Sequence, residues 1–329
     1  LPALSTRRFW MRRSAGRRSA ARKNGRSFCL QAFAPASRMK IGLAIDQRDW
    51  HARALLREFA ARNTAVVPFR LADAAFDSAH PYGVAVPGFG DTLPGAVLIR
   101  SISSGSFEEV TRRLGVLHAL RERGVPVWND ARAIERCVDK STTSFLFGHA
   151  GIATPATWAV EGRPAAVTIA ERECPAGPLV LKPLFGSQGR GLRLIVNSTD
   201  LPPSETVDGV YYLQRYVPTG THSFHDHRLF VCAGQVVAAM TRQADNWVTN
   251  VRLGAQPLAF SPDATLIDLA VRAAGCVGAS YAGVDLLVDR DGQPWVLEVN
   301  SMPGWKGLQR VAPGSIAGHI VAGLLAALR

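Results

Sequence analysis

The stretch Lys182-Pro-Leu-Phe-Gly-Ser-Gln-Gly-Arg-Gly-Leu192 decides how this chain is read. A lysine closes the apolar run Leu179-Val180-Leu181. Glycines follow at positions 186, 189 and 191, and Leu192 to Val196 forms a second extended run. Glycine lets backbone amides approach an anion closely, and a nest of amides beside a lysine makes a polyphosphate cradle. The flanks say which kind. A P-loop carries Gly-Lys-Ser/Thr and then a helix. Here neither that pair nor a helical period follows Gly191. Leu192, Leu194 and Val196 alternate with Arg193 and Ile195, which predicts a strand. The expectation is a glycine loop between two strands. An ordinary hairpin with a long glycine turn has the same local signature, so the odds are set further along the chain.

Gly283-Val-Asp-Leu-Leu-Val288 is a strand candidate, Asp289-Arg-Asp-Gly292 supplies turn residues, and Gln293-Pro-Trp-Val-Leu-Glu-Val-Asn300 is the return strand. If Asp289 pairs with Pro294, Asp285 falls opposite Glu298. Glu298 and Asn300 are two apart and share a face. That face offers two carboxylates and an amide oxygen, the hard ligands magnesium takes beside nucleotide phosphates. A solvated polar face is the bland alternative. Yet both carboxylates interrupt apolar runs, and a buried carboxylate pair is costly unless it is neutralised or holds a metal.

Together these segments resemble the ATP-grasp superfamily, and within it the RimK-like glutamate ligases. The resemblance covers roughly Met39 to the C-terminus. It is carried, in family order, by Cys137-Val-Asp-Lys-Ser-Thr, Lys182 to Leu192, Tyr212-Leu-Gln-Arg-Tyr-Val217, Asp226-His-Arg-Leu-Phe-Val231 and Gly283 to Leu308. It implies an α/β and α+β chain: an N-terminal parallel α/β layer (39–136), then two α+β lobes (137–203 and 204–329) clamping ATP. It implies that Lys140 and Lys182 contact nucleotide phosphates. The loop of Gly186, Ser187, Gln188, Gly189 and Gly191 would cover the β- and γ-phosphates. Gln214, Arg215, Tyr216 and Val217 match the adenine hinge, and Asp226 matches an acidic nucleotide contact. Arg228 matches a catalytic arginine, Asn250 a polar residue near the phosphates, and Asp285, Glu298 and Asn300 the magnesium ligands. Two positions depart from the pattern. Arg215 stands where the family usually has a glutamate, and a guanidinium cannot accept a hydrogen bond from ribose. Val248 stands at what is often an arginine.

The activity so implied is an ATP- and magnesium-dependent carboxylate–amine ligation, with manganese as a substitute ion. L-Glutamate would join a carboxylate-bearing small molecule through an acyl-phosphate, giving ADP and phosphate. The Lys-Pro-Leu-Phe-Gly-Ser-Gln-Gly form of the loop is similar to ligases that glutamylate pterin cofactors. A ribosomal protein or a peptide C-terminus is the competing acceptor, and lysine or D-alanine a competing amino acid.

A different class, a nucleic-acid-binding protein with a vestigial ATP site, is suggested by the net charge of +12. The charge is unevenly spread. Residues 1–38 hold nine arginines, one lysine and no acid, which leaves 28 basic against 26 acidic residues in the remainder. That stretch reads as a basic arm, a transit peptide or, preferred, an extension upstream of Met39; it is expected to be disordered. Nucleic acid is therefore not the expected partner. The five scattered cysteines lack a Cys-x-x-Cys pair, which points to a reducing, cytoplasmic setting. No apolar run of about 18 residues suggests a membrane span. A homo-oligomer is expected from the resemblance alone.

Along the body, strands are predicted at 40–45, 65–69, 96–100 and 124–128, with helices at 50–62, 107–123, 141–150 and 316–328. Such alternation implies a parallel layer. His222-Ser-Phe-His-Asp-His227 is expected to be a loop beside the acceptor rather than a zinc site, because its spacing fits no finger or helical pattern. Lys306 is either a solvated turn residue or a reader of a substrate carboxylate. Trp305 is either packing or a wall for a ringed acceptor. Arg242 touches phosphate or pairs with Asp245.

Overall fold

The computed structural model describes residues 39–186, 191–219 and 224–329. Ser187, Gln188, Gly189, His222 and the basic stretch 1–38 lie outside the described residues, with the expectations attached to them.

Four strands make the first sheet: β1 (Ile41–Ala44), β2 (Val66–Phe69), β5 (Ala96–Ile99) and β6 (Val127–Trp128), in the order β2-β1-β5-β6 and all parallel. Every residue of β1 and β5 is buried, as continuous apolar runs in a two-sided parallel sheet must be. Ile41 and Leu43 face α1 (Trp50–Ala61) and the C-terminal α7 (Ile316–Ala326). Ala44, Val97 and Ile99 face α2 (Phe107–Glu122). The helix starts are written locally. Asp49 accepts from the Ala52 amide ahead of α1, and Ser106 and Glu109 form a capping box ahead of α2. The short pair β3 (Ala75–Phe76) and β4 (Val84–Ala85) lies beside α2.

Helices α3 (Ala131–Val138) and α4 (Lys140–His149) lead to a second, antiparallel sheet. Its strands are β7 (Thr157–Glu161), β8 (Leu179–Lys182), β9 (Arg193–Ile195) and β10 (Val210–Arg215), in the order β7-β10-β8-β9. Helix α5 (Arg163–Glu173) packs on Leu179, Leu181, Ile195, Tyr211 and Leu213. The strand after the glycine loop exists, but its faces are the reverse of the simple apolar alternation. Ile195 is buried under α5, whereas Leu194 and Val196 are exposed. Because β10 belongs to this sheet, the chain crosses to the next one between Arg215 and Phe224, not at the expected 203/204 border.

The third sheet is antiparallel, in the order β13-β12-β11-β14-β15. It comprises β11 (Phe224–Cys232), β12 (Gln235–Ala244), β13 (Gln256–Ala259), β14 (Tyr281–Val288) and β15 (Pro294–Asn300). Leu229, Val231, Val284 and Leu286 bury one face against α6 (Ala264–Val277), while Phe230, Met240 and Tyr281 bury the other against Trp305 and α7. His225 and His227 lie on β11, which overturns the loop expected over that part of the segment: the run is paired with β12 from Phe224 onward and with β14 from His227, so the ladder holds it extended although residues 225–228 are all polar. Among the described residues no helix is long and apolar enough to cross a membrane, and the four described cysteines are free thiols.

Candidate active site

A cleft of about 960 Å³ lies between the second and third sheets and is bordered at one end by the first. Its floor is the hairpin of β14 and β15. Asp285 stands opposite Glu298, as expected, but by another route. Val288, not Asp289, pairs with Pro294, and a bulge between Asp285 and Leu286 restores the carboxylate pair. Asn300 donates its amide to Glu298 Oε1 at 2.9 Å.

Charges continue across the sheet. Arg228 on β11 is opposite Asp285 and grips it with two bonds of 2.6 Å, from Nε to Oδ1 and from Nη2 to Oδ2. Arg242 on β12 forks onto both oxygens of Asp226 and reaches Asp285 Oδ2 at 3.0 Å. Of the two options the sequence left for Arg242, a phosphate contact or a pair with Asp245, the second is not the one formed: its partners are Asp226 and Asp285. Asp226, Asp285 and Arg242 are all buried. Burial pushes the Asp285 carboxyl up, but the Arg228 and Arg242 guanidiniums outweigh it and hold it well below the usual carboxylate range. For Asp226 burial wins over Arg242, and its carboxyl is pushed up. Two carboxylates and two guanidiniums thus balance, and a buried network of this kind persists only while each member keeps its partners.

Lys182 ends β8 and faces this network. Among the described residues its ammonium has no hydrogen bond or ion pair. Burial drives it below the usual lysine range, against the upward pull of Glu298. Lys140, at the start of α4, donates to the carbonyls of Leu184 and Gly186 at 3.2 and 2.9 Å, so it holds the near limb of the glycine loop. Burial lowers it too, again opposed by Glu298. Gly191, the far limb, has φ +72°, and a Cβ there would lie 2.8 Å from Pro183 Cγ, so the loop's return needs glycine.

At the hinge, Gln214 is buried with its Nε2 unpartnered among the described residues. It pairs across β8 with Val180, a cleft residue, and so lies on the cleft side of its sheet. Tyr216 and Val217 line the cleft. Arg215 is turned to structural use: it bonds the Glu173 carboxylate at 2.7 Å and the Glu173 carbonyl at 3.0 Å, and packs over Trp158. Asn250 spends its Oδ1 on the Arg252 amide at 2.8 Å and lines the cleft.

Trp305 is fully buried between His51 and Phe230, so it is a packing residue and not a wall for substrate. Among the described residues no group of three His, Cys, Asp or Glu side chains is placed to hold a metal ion. His227 stacks on Phe260 and bonds Thr241 at 3.0 Å. The hairpin offers a different donor set, two carboxylates and an amide. Glu298 and Asn300 line the cleft beside an ionised Asp285, so hard-cation chemistry fits. Sequence reasoning missed Asn129 and left Arg242 undecided. Both act through partners far away in the chain, which no local signal reveals.

The family described as the RimK-like ATP-grasp domain matches residues 137–324. This chain belongs to that family. The tetrahydromethanopterin:alpha-L-glutamate ligase of Methanococcus maripaludis is 35% identical over 229 residues, covering 68% of this chain and 76% of that one. The enzyme of the same name from Methanosarcina acetivorans is 29% identical over 315 residues, covering 82% and 93%. Among solved structures, the ATP-grasp ligase PsnB complexed with minimal precursor, Mg and ADP superposes with a TM-score of 0.68 at 21% identity, over 91% of this chain and all of that one. The RimK-like chain is an enzyme of the ATP-grasp ligase class, and its three sheets are that fold.

Proposed function

We propose that the chain is an ATP- and magnesium-dependent ligase that adds L-glutamate to a carboxylate-bearing acceptor, a pterin cofactor of the tetrahydromethanopterin type. The observation that carries the reading is Lys182: a buried ammonium without a partner among the described residues, facing the Glu298–Asp285 row across the cleft. A lone buried cation of this kind is costly unless a polyanion fills the space before it. The names of the two archaeal relatives support glutamate and the pterin acceptor.

In this reading Asp285, Glu298 and Asn300 would hold magnesium, which when bound neutralises phosphate charge. Lys182 orients the nucleotide phosphates, and Lys140 fixes the glycine loop over them. Gln214, Tyr216 and Val217 receive the base. The γ-phosphoryl group passes to an oxygen of the acceptor carboxylate, and ADP leaves. The glutamate amine then attacks the acyl carbon. The C–N bond forms, the C–O bond to phosphate breaks, and the amine proton goes to solvent. Arg228, on the cleft floor, stabilises the oxyanion of that step electrostatically.

The test is mass spectrometry of the full chain with magnesium, ATP, L-glutamate and a cell extract split into small-molecule and protein fractions. ADP with a glutamyl increment on a small molecule is expected. The increment on a protein instead transfers the activity to a peptide acceptor. AMP in place of ADP rules out the acyl-phosphate route.

A further inference from the structure

One end of the cleft lies away from the phosphate-facing lysines, where the segment leaving Asn300 meets the first sheet. Arg100 (at the end of β5), Lys306 and Arg310 line it. Among the described residues neither the Lys306 nor the Arg310 side chain has a hydrogen bond or an ion pair. Arg100 lies 5.0 Å above the Trp305 ring and donates from Nη1 to the Met302 carbonyl at 3.3 Å. Its Nε is buried with no partner among the described residues.

The neighbouring groups do not compensate this charge. Asp49 lines the same end, but its Oδ1 caps α1 and its Oδ2 meets His51 Nδ1 at 2.9 Å. His51 Nε2 must accept from the Trp305 amide at 3.1 Å, so the imidazole proton sits on Nδ1 and points at Asp49. Burial, and then the nearby Arg100, lower this histidine and keep it neutral. Among the described residues, three cations therefore face this end of the cleft, and the carboxylate beside them, Asp49, is already committed.

We infer that this end is a polycarboxylate subsite: Arg100, Lys306 and Arg310 hold the non-reacting carboxylates of the acceptor while its reacting carboxyl lies toward Lys182 and Arg228. One carboxylate needs one fork or ammonium; three cations from two separate segments fit a ligand carrying two or more acid groups near its reacting end. The inference rests on the ligase reading for its orientation, but the subsite is tested by binding alone.

Tricarballylate, a small tricarboxylate, serves as the probe, with isobutyrate as the monocarboxylate control. Binding to the full chain is followed by calorimetry with and without saturating ADP and magnesium. Tricarballylate is expected to bind in both conditions, and isobutyrate at least about tenfold more weakly. Lys306→Met and the double variant Lys306→Met/Arg310→Met change exposed side chains only. Each is expected to weaken tricarballylate by about tenfold or more while ADP binding stays unchanged. No tricarballylate binding to the wild type overturns the subsite. So does equal affinity in the double variant, or loss on Lys182→Met alone. Failure of ADP to bind, with tricarballylate still sensitive to Lys306, rejects the ligase reading and leaves the anion site standing.

Discussion

Arg242 carries two carboxylates on one guanidinium, forking onto Asp226 and reaching Asp285 at 3.0 Å inside the protein. Replacing it by methionine strips Asp226 of its ion-pair partner and leaves Asp285 paired with Arg228 alone. Loss of a partner from a buried ion pair costs about 3–5 kcal/mol, and Arg242→Met should lose that much in urea unfolding. Lys182→Met should behave in the opposite way. It removes an ammonium with no partner to lose, so the fold should be as stable or more so, while ATP turnover falls by about a hundredfold or more. Unchanged turnover in that variant, read by ADP release, would remove Lys182 from the site. The two residues also differ in how the sequence displays them. Lys182 is marked by its neighbours, an apolar strand before it and glycines after it. Arg242 looks like any strand arginine, because its partners are 16 and 43 residues away and were brought opposite it only by strand pairing.

At the scale of elements, helix starts and the apolar strands of the first sheet were legible, since caps and burial act within a few residues. The β14–β15 bulge was not: the sequence argument reached the Asp285–Glu298 pairing through a register one residue off, which the bulge repaired. The same hairpin has a crowded spot at Gly283, where an added Cβ would stand 3.0 Å from Pro303 and 3.7 Å from Arg228. Gly283→Val should therefore displace the arginine and the segment leading to Lys306. Overpacking of this sort costs about 1–3 kcal/mol, and the expected signature is a larger loss of turnover than of stability. On β11, burial first, then His225 and Arg242, lower His227 to about 4. In the unfolded chain a histidine titrates near about 6.5. Between these values the unfolded state binds more protons, so stability is full above the upper value and falls as pH drops through the window. The loss should approach about 2 kcal/mol, less than the full shift because part of the ring stays near water. Thermal unfolding from pH 4 to 7 should show this slope, and His227→Asn should flatten it.

For the whole molecule, the decisive joint is Asn129, fully buried after β6. Its Nδ2 donates to the carbonyls of Tyr281 and Ser301 at 2.7 and 2.6 Å, and its Oδ1 accepts from the amides of Ser280 and Tyr281 at 2.6 and 3.1 Å. One side chain thus satisfies four backbone groups of the third sheet from the first, at the start of β14 and just past the end of β15. The Tyr281 hydroxyl returns the link by donating to the Ile99 carbonyl. These contacts set the height of the Asp285–Glu298 hairpin relative to Arg100 and His51, so the two ends of the cleft are held at a fixed separation. Asn129→Ala strips four backbone groups of their partners in a dry joint. With unpaired buried groups costing about 1–3 kcal/mol each and some rescued by water, a net loss of about 3 kcal/mol is expected. For a body of this size that lowers Tm by on the order of 5–10 °C. Asn129→Asp keeps the two acceptor bonds but turns the two donor bonds into oxygen–oxygen repulsion, and should be no better than alanine. If both variants unfold like wild type, the sheets are joined by packing alone. If they unfold earlier and also lose nucleotide-dependent stabilisation, the joint is what aligns the floor of the cleft with its wall.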